Sequence, residues 1–330
     1  MNNIRYTDLK EYFSIYGMPY DEKFSEDETH QIIMDIIRKF FYRNIISINE
    51  GRKKKDKIRI HLYEINNFDL NASALQLGKK DFAIVMRSGI FQILFDEIGK
   101  NYEIFNEITE TYYEDLSETV GAYYLFVYAY LIGHELGHIM QGHHSIASTS
   151  NLSENREILN LINKQSLVNQ HPLYNRFLME LDADLYAVSF LIKLMLELKI
   201  KYKLLNDKSR EIFYGDIYSV TKIAITSIYI THNLFAKKHN YKSDYPPPHI
   251  RTGFMTWYLK EFLGDIVNEN KKELKELCEE QMQKIYDLQD RYSLSAFKIN
   301  SLDDFNLNII EQVKIHLSYY NKLKSTGISV

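Results

Sequence analysis

Gly121 to Gly133 is a run of apolar and aromatic residues without a single charge, and it leads directly into His134-Glu135-Leu136-Gly137-His138. A helix of that composition has no polar face to offer water, so the fold must cover it on all sides. His134, Glu135 and His138 then enter a dry interior, which is costly unless they are paired or bound to a metal. His134 and His138 stand four residues apart and share a helix face, so both imidazoles can reach one ion. Glu135 falls beside the open position of that ion, where a carboxylate can take a proton from an attacking water.

The bulk composition narrows the classes. At 330 residues the chain can bury a large core, as one domain or as one domain with appended helices. Its 40 basic and 44 acidic residues leave a net charge of −4, so no overall field draws it to nucleic acid and no nucleic-acid partner is expected. The single cysteine, Cys278, excludes an internal disulfide, suits a reducing compartment and reads as inert. The first residues hold no apolar stretch of signal-peptide length, and no segment reaches 18 uncharged apolar residues. The expectation is a soluble cytoplasmic protein with no membrane partner.

Along the chain, Glu28 to Asn44 carries apolar residues at helical spacing. The run Arg52, Lys53, Lys54, Lys55 and Lys57 reads as a solvated loop. Ile58 to Tyr63 alternates as a strand does, and Phe82 to Met86 is a more buried strand. From Ile90 onward the pattern is helical: Thr119 to His144, Leu173 to Leu205, Ser209 to Lys238, then further amphipathic helices. Asn151 to Gln170 is a polar excursion, and Tyr245-Pro246-Pro247-Pro248 is a strong break. The expected fold class is α+β, predominantly α, with a zincin-like core: a small sheet (strands near 57–63 and 82–87), an HExxH helix, a glutamate-bearing helix, and extra N- and C-terminal helices. Residues 1–55, 56–260 and 261–330 are expected as N-terminal segment, core and C-terminal extension of one compact unit.

A catalytic zinc site takes three protein ligands and a water. Met179-Glu180-Leu181-Asp182-Ala183-Asp184 sets three acids in an otherwise apolar helix. Glu180 and Asp184 share a face, so Glu180 can bind the metal while Asp184 holds a ligand imidazole, with Asp182 pointing elsewhere. A rival third ligand is His144, ten residues after His134, although the glycine that would bend the chain there is displaced to Gly142. His143 reads as a surface group or a support for the ligands. Two imidazoles and a carboxylate favour one zinc per chain, a donor set that also takes iron or manganese.

With both motifs placed, the chain resembles the gluzincin peptidases of the HtpX, Oma and CAAX-prenyl-protease group, in which a Glu-x-x-Ala-Asp helix follows HExxH and supplies the third ligand. Glu180-Leu181-Asp182-Ala183-Asp184 has that form. Asn71-Ala72-Ser73-Ala74, the strand Phe82 to Met86 and Ser88-Gly89-Ile90 resemble the family's edge-strand element. Tyr245-Pro246-Pro247-Pro248-His249-Ile250-Arg251 is similar to its His-Pro-Pro…Arg motif, with Tyr245 where the family has histidine. The matched region runs from about Asn71 to Arg251, and a soluble member of this size is also similar to phage-exclusion peptidases that cut a host translation factor.

The implied activity is hydrolysis of peptide bonds in a protein or peptide substrate, with His134, His138 and Glu180 on the metal and Glu135 as base. Tyr245 or His249 would stabilise the oxyanion. Arg251 would orient its segment, contact a carboxylate or pair with Asp184. Ile84, Val85 and Met86 would lie along the extended substrate. Two other readings stay open: a zinc-containing regulatory protein without turnover, and a latent defence or toxin-type effector that awaits an activating partner.

Overall fold

The computed structural model describes residues 18–19, 28–110, 116–143, 172–201, 217–239, 248–266 and 271–292. Over these residues the chain is mostly helical with one small sheet. Helix α1, Glu28–Glu50, buries Ile33, Ile37, Phe40 and Phe41 at the spacing its apolar residues predict. The basic run follows as an exposed loop with a short 3-10 turn at Lys54–Asp56.

The strands are β1, Met18–Pro19; β2, Arg59–Asn66; β3, Ala72–Gly78; and β4, Asp81–Arg87. Their order is β1-β2-β4-β3, with β2 parallel to β4 and β3 antiparallel to it. Leu62 and Ala74 both stand opposite Ile84, one on each side. This topology corrects one expectation. Ile84, Val85 and Met86 lie on an interior strand whose two ladder edges are occupied, so their backbone cannot pair with a substrate. The outer edge belongs to β3, whose Ala, Ser and Gln residues carry little strand signal. The uninterrupted burial of Phe82 to Met86 is that of a central strand.

Helices α2, Gly89–Lys100, and α3, Tyr102–Thr109, lead to α4, Leu116–Met140. Residues 119–134 of α4 are all buried, as its composition requires. Around it pack α1, α2, β3, β4, α5 (Pro172–Lys201) and α6 (Ile217–His239). Helices α7, Pro248–Ile266, and α8, Lys271–Tyr292, complete the described chain. One apolar cluster runs from Ile33 to Ile285, so α8 belongs to the common core. Its Gln281 donates to the Ile108 carbonyl at 3.1 Å and to Thr226 at 3.0 Å. Cys278 is buried there, and burial pushes its thiol up to about 12. Among the described residues no helix is long and apolar enough to cross a membrane.

The contact that matters most for the site is between α4 and α5. A Cβ added at Gly137 would lie 2.8 Å from the Ala183 Cα and 2.9 Å from its carbonyl oxygen. One at Gly133 would lie 2.9 Å from the Ala187 Cα. Two glycines a turn apart thus face two alanines a turn apart, and neither position has room for a Cβ.

The α4–α5 contact and a buried acid on β2 each give a prediction. Gly137→Ala lowers stability in urea unfolding by about 1–3 kcal/mol through overpacking, reversing the ~1 kcal/mol that the swap normally gains in a helix. Gly51→Ala, where nothing lies within 4 Å of the added carbon, stays near neutral. The second concerns Glu64, buried on β2 with its Oε1 3.8 Å from the His30 Nε2 of α1. Burial pushes its carboxyl from 4.5 up to about 7, against the pull of the Arg38 charge. Protonation therefore favours the folded chain, and the contribution present below pH 4.5 is lost as pH rises through 7. Glu64→Gln should gain up to about 3 kcal/mol above that range and nothing below it; an equal gain at both ends would contradict a neutral buried Glu64.

Candidate metal centre

His134 and His138 lie on consecutive turns of α4, and Glu180 faces them from α5 across the glycine–alanine contact. The His134 and His138 Nε2 atoms are 3.1 Å apart. The Glu180 carboxylate stands 3.3 Å from the first and 4.0 Å from the second. A tetrahedral ion with bonds of about 2.0–2.1 Å spaces its donor atoms about 3.3 Å apart. These three residues form a group that could hold a metal ion.

Charge argues the same way as spacing. His134 donates Nδ1–H to the Asp184 carboxylate at 2.8 Å, which leaves Nε2 of the neutral ring as a bare lone pair. That lone pair, the His138 nitrogen and an ionised Glu180 converge on one point, an arrangement that repels itself without a cation. A proton on Nε2 answers the same demand: burial by itself disfavours a charged His134, but the hydrogen bonds to Asp184 and Glu180 outweigh it and lift the imidazole to about 10. Burial also opposes a charged Glu180, yet His134 and His138 draw its carboxyl down to about 2. The side chains of His134, His138 and Glu180 remain 11%, 16% and 13% exposed, so the cluster meets solvent on one side. Closed structural sites fill that side with a fourth protein ligand.

Asp184 is the anchor of this centre. It is fully buried and takes Arg251 Nε and Nη2, each at 2.7 Å, as well as His134. Tyr130, one turn before His134, adds its hydroxyl. Burial opposes ionisation of Asp184, and Arg251 with His134 overcomes it, holding the carboxyl far below its usual range. Tyr130 is held in turn by His232, whose Nε2 lies 3.0 Å from the phenol and whose Nδ1 lies 3.0 Å from Thr252. Burial drives His232 down to about 3, so it serves as a neutral hydrogen-bonding ring.

Glu135 is half-buried on the same helix and points to β3, where the Ala74 backbone N–H donates to its carboxylate. Burial pushes Glu135 up to about 7, with the Glu180 charge adding to it and His134 and Ala74 opposing. A carboxylate in that range suits proton transfer near neutrality.

The structure thus brings together His134, Glu135, His138, Glu180, Asp184 and Arg251. It sets Ile84, Val85 and Met86 behind β3, inside the sheet. Tyr245, His144 and the Asn151 to Gln170 excursion lie outside the described residues, and so does the His249 side chain, whose backbone opens α7. Sequence reasoning missed the buried Asp182, Tyr130 and His232, and left His143 open. Tyr130 and His232 are polar groups on apolar helices, and Asp182 is one acid of a triplet, signals visible in the sequence but silent about their partners.

Arg251→Met leaves the Asp184 carboxylate without its counter-charge and should cost about 3–5 kcal/mol in thermal or urea unfolding. A loss below about 1 kcal/mol, as for an exposed pair, would contradict a buried anchor. Comparison of the chain with protein-family models, with curated proteins and with solved structures found no match, so the functional reading rests on this geometry.

Proposed function

We propose that the chain is a zinc-dependent endopeptidase with a zincin-like core of gluzincin type, cutting a cytosolic protein. One observation carries the reading: two imidazoles and a carboxylate converge at tetrahedral spacing while Glu135, on the same turn, reaches the outer strand of the sheet. His134, His138 and Glu180 would hold zinc, the ion favoured by that donor set. When bound, zinc polarises the scissile carbonyl and acidifies the attacking water.

The remaining work falls to the chain's own groups. Glu135 accepts the proton from the water and returns it to the leaving nitrogen. Its tie to Ala74 holds the carboxylate between the metal ligands and the β3 edge. An extended peptide adds to that edge by backbone hydrogen bonds, which takes the substrate-binding role from Ile84, Val85 and Met86 and gives it to β3. Tyr245 or His249, around the Pro246-Pro247-Pro248 run of the sequence, would donate to the oxyanion. Arg251 holds Asp184 and, through it, the His134 ring. A phage-exclusion or toxin-type effector whose cleavage waits for an activating partner is a form of the same reading.

Glu135→Gln tests it. The variant should retain the metal of the parent and lose cleavage by about 10²–10⁴-fold, the share a general base supplies. New N-termini appearing in a cytosolic lysate with the parent, and absent with the variant, are the expected result. Equal cleavage by both would contradict the role of Glu135.

A further inference from the structure

The two imidazole ligands are supported differently. His134 has a carboxylate directly behind it, whereas the Nδ1 of His138 lies 2.8 Å from the Nδ1 of a second imidazole, His143. The other nitrogen of His143, Nε2, lies 3.2 Å from Asp182 Oδ2. His143 and Asp182 are both buried, at 2% and 4% exposure. The chain reaches this arrangement through Gly142, whose φ of 71° ends α4 in the left-handed conformation and turns His143 back onto the last helical turn.

We propose that Asp182 and His143 are a positioning pair that fixes His138 in the tautomer with Nδ1 protonated and Nε2 bare. The direction follows from the end of the chain of contacts. A carboxylate only accepts, so the nitrogen of His143 facing Asp182 must carry the hydrogen. The neutral ring then has a lone pair on Nδ1 and can only accept from His138. His138 must therefore carry its hydrogen on Nδ1, which leaves Nε2 for the metal. The opposite order would set a bare His143 nitrogen against the carboxylate. It would also put a hydrogen on His138 Nε2, in the 3.1 Å gap to His134 Nε2 where the ion belongs. All three acids of the α5 triplet thereby have work: Glu180 faces the metal, Asp184 orients His134, and Asp182 orients His138 through His143.

The inference rests on the metal-binding part of the proposed function and is independent of turnover. Its test is zinc affinity of the full chain, measured by competition with a chromophoric chelator. His143→Leu removes the acceptor and should weaken zinc by about 10–100-fold, the usual effect of losing a support behind a metal ligand. His143→Asn returns an oxygen to the position of Nδ1 and should restore most of the affinity. Asp182→Asn should weaken zinc in the parent yet add nothing in the His143→Asn background, because the relay it serves is gone. Nitrogen-15 spectra of histidine-labelled protein should show His138 protonated at Nδ1 and His143 at Nε2. Equal loss in His143→Leu and His143→Asn, additive loss from Asp182→Asn, or the reverse tautomers would overturn the pair. A parent that binds no zinc would instead overturn the reading on which the pair depends.

Discussion

The close approach of α4 and α5 is the constraint on which the site depends. Gly133 and Gly137 lie against the backbone of Ala187 and Ala183, with the Cβ atoms of Phe190 and Tyr186 beside them. At that separation His134 and His138 on one helix meet Glu180 on the other, with donor atoms 3.1 to 4.0 Å apart. The same closeness lets Asp184 reach His134 without a water between them. A wider spacing would part Glu180 and Asp184 from the imidazoles they face, and burial would then oppose folding. The glycines and the ligands are therefore parts of one device.

Around that contact the helix α4 carries two opposed demands. Its covering by α1, α2, α5, α6 and the sheet supplies the apolar burial that holds the molecule together. Its final turns must stay open and polar. The chain reconciles these by stacking hydrogen-bonded groups beneath the opening: Asp184 with Arg251 and Tyr130 under His134, and His143 with Asp182 under His138. Satisfied in this way, the polar layer stiffens the ligands and does not weaken the core.

Much of this was legible in the sequence, and the rest has identifiable physical reasons for being hidden. His134, His138 and Glu180 stand out because helical spacing turns sequence distance directly into a shared face, and because acids in an apolar helix need a partner. The pairing of Arg251 with Asp184 was among the roles open to that arginine, and the structure shows it as a two-pronged contact. The edge strand was misplaced because hydrophobicity marks burial, and burial is greatest on central strands. Phe82 to Met86 therefore outshone the true edge, Ala72–Gly78. Contacts such as His143 with Asp182 join residues far apart in the chain, and no local periodicity reports them. The role of Gly137 was equally hidden, since a glycine inside a helix signals close approach without saying to what.

Metal content is the most direct measure of the central claim. Protein purified without added metal, in the parent form and as Glu180→Ala, would be assayed by mass spectrometry. The account predicts about one zinc per parent chain and a sharp loss in the variant. A parent that takes up no metal even after zinc is added back would contradict it.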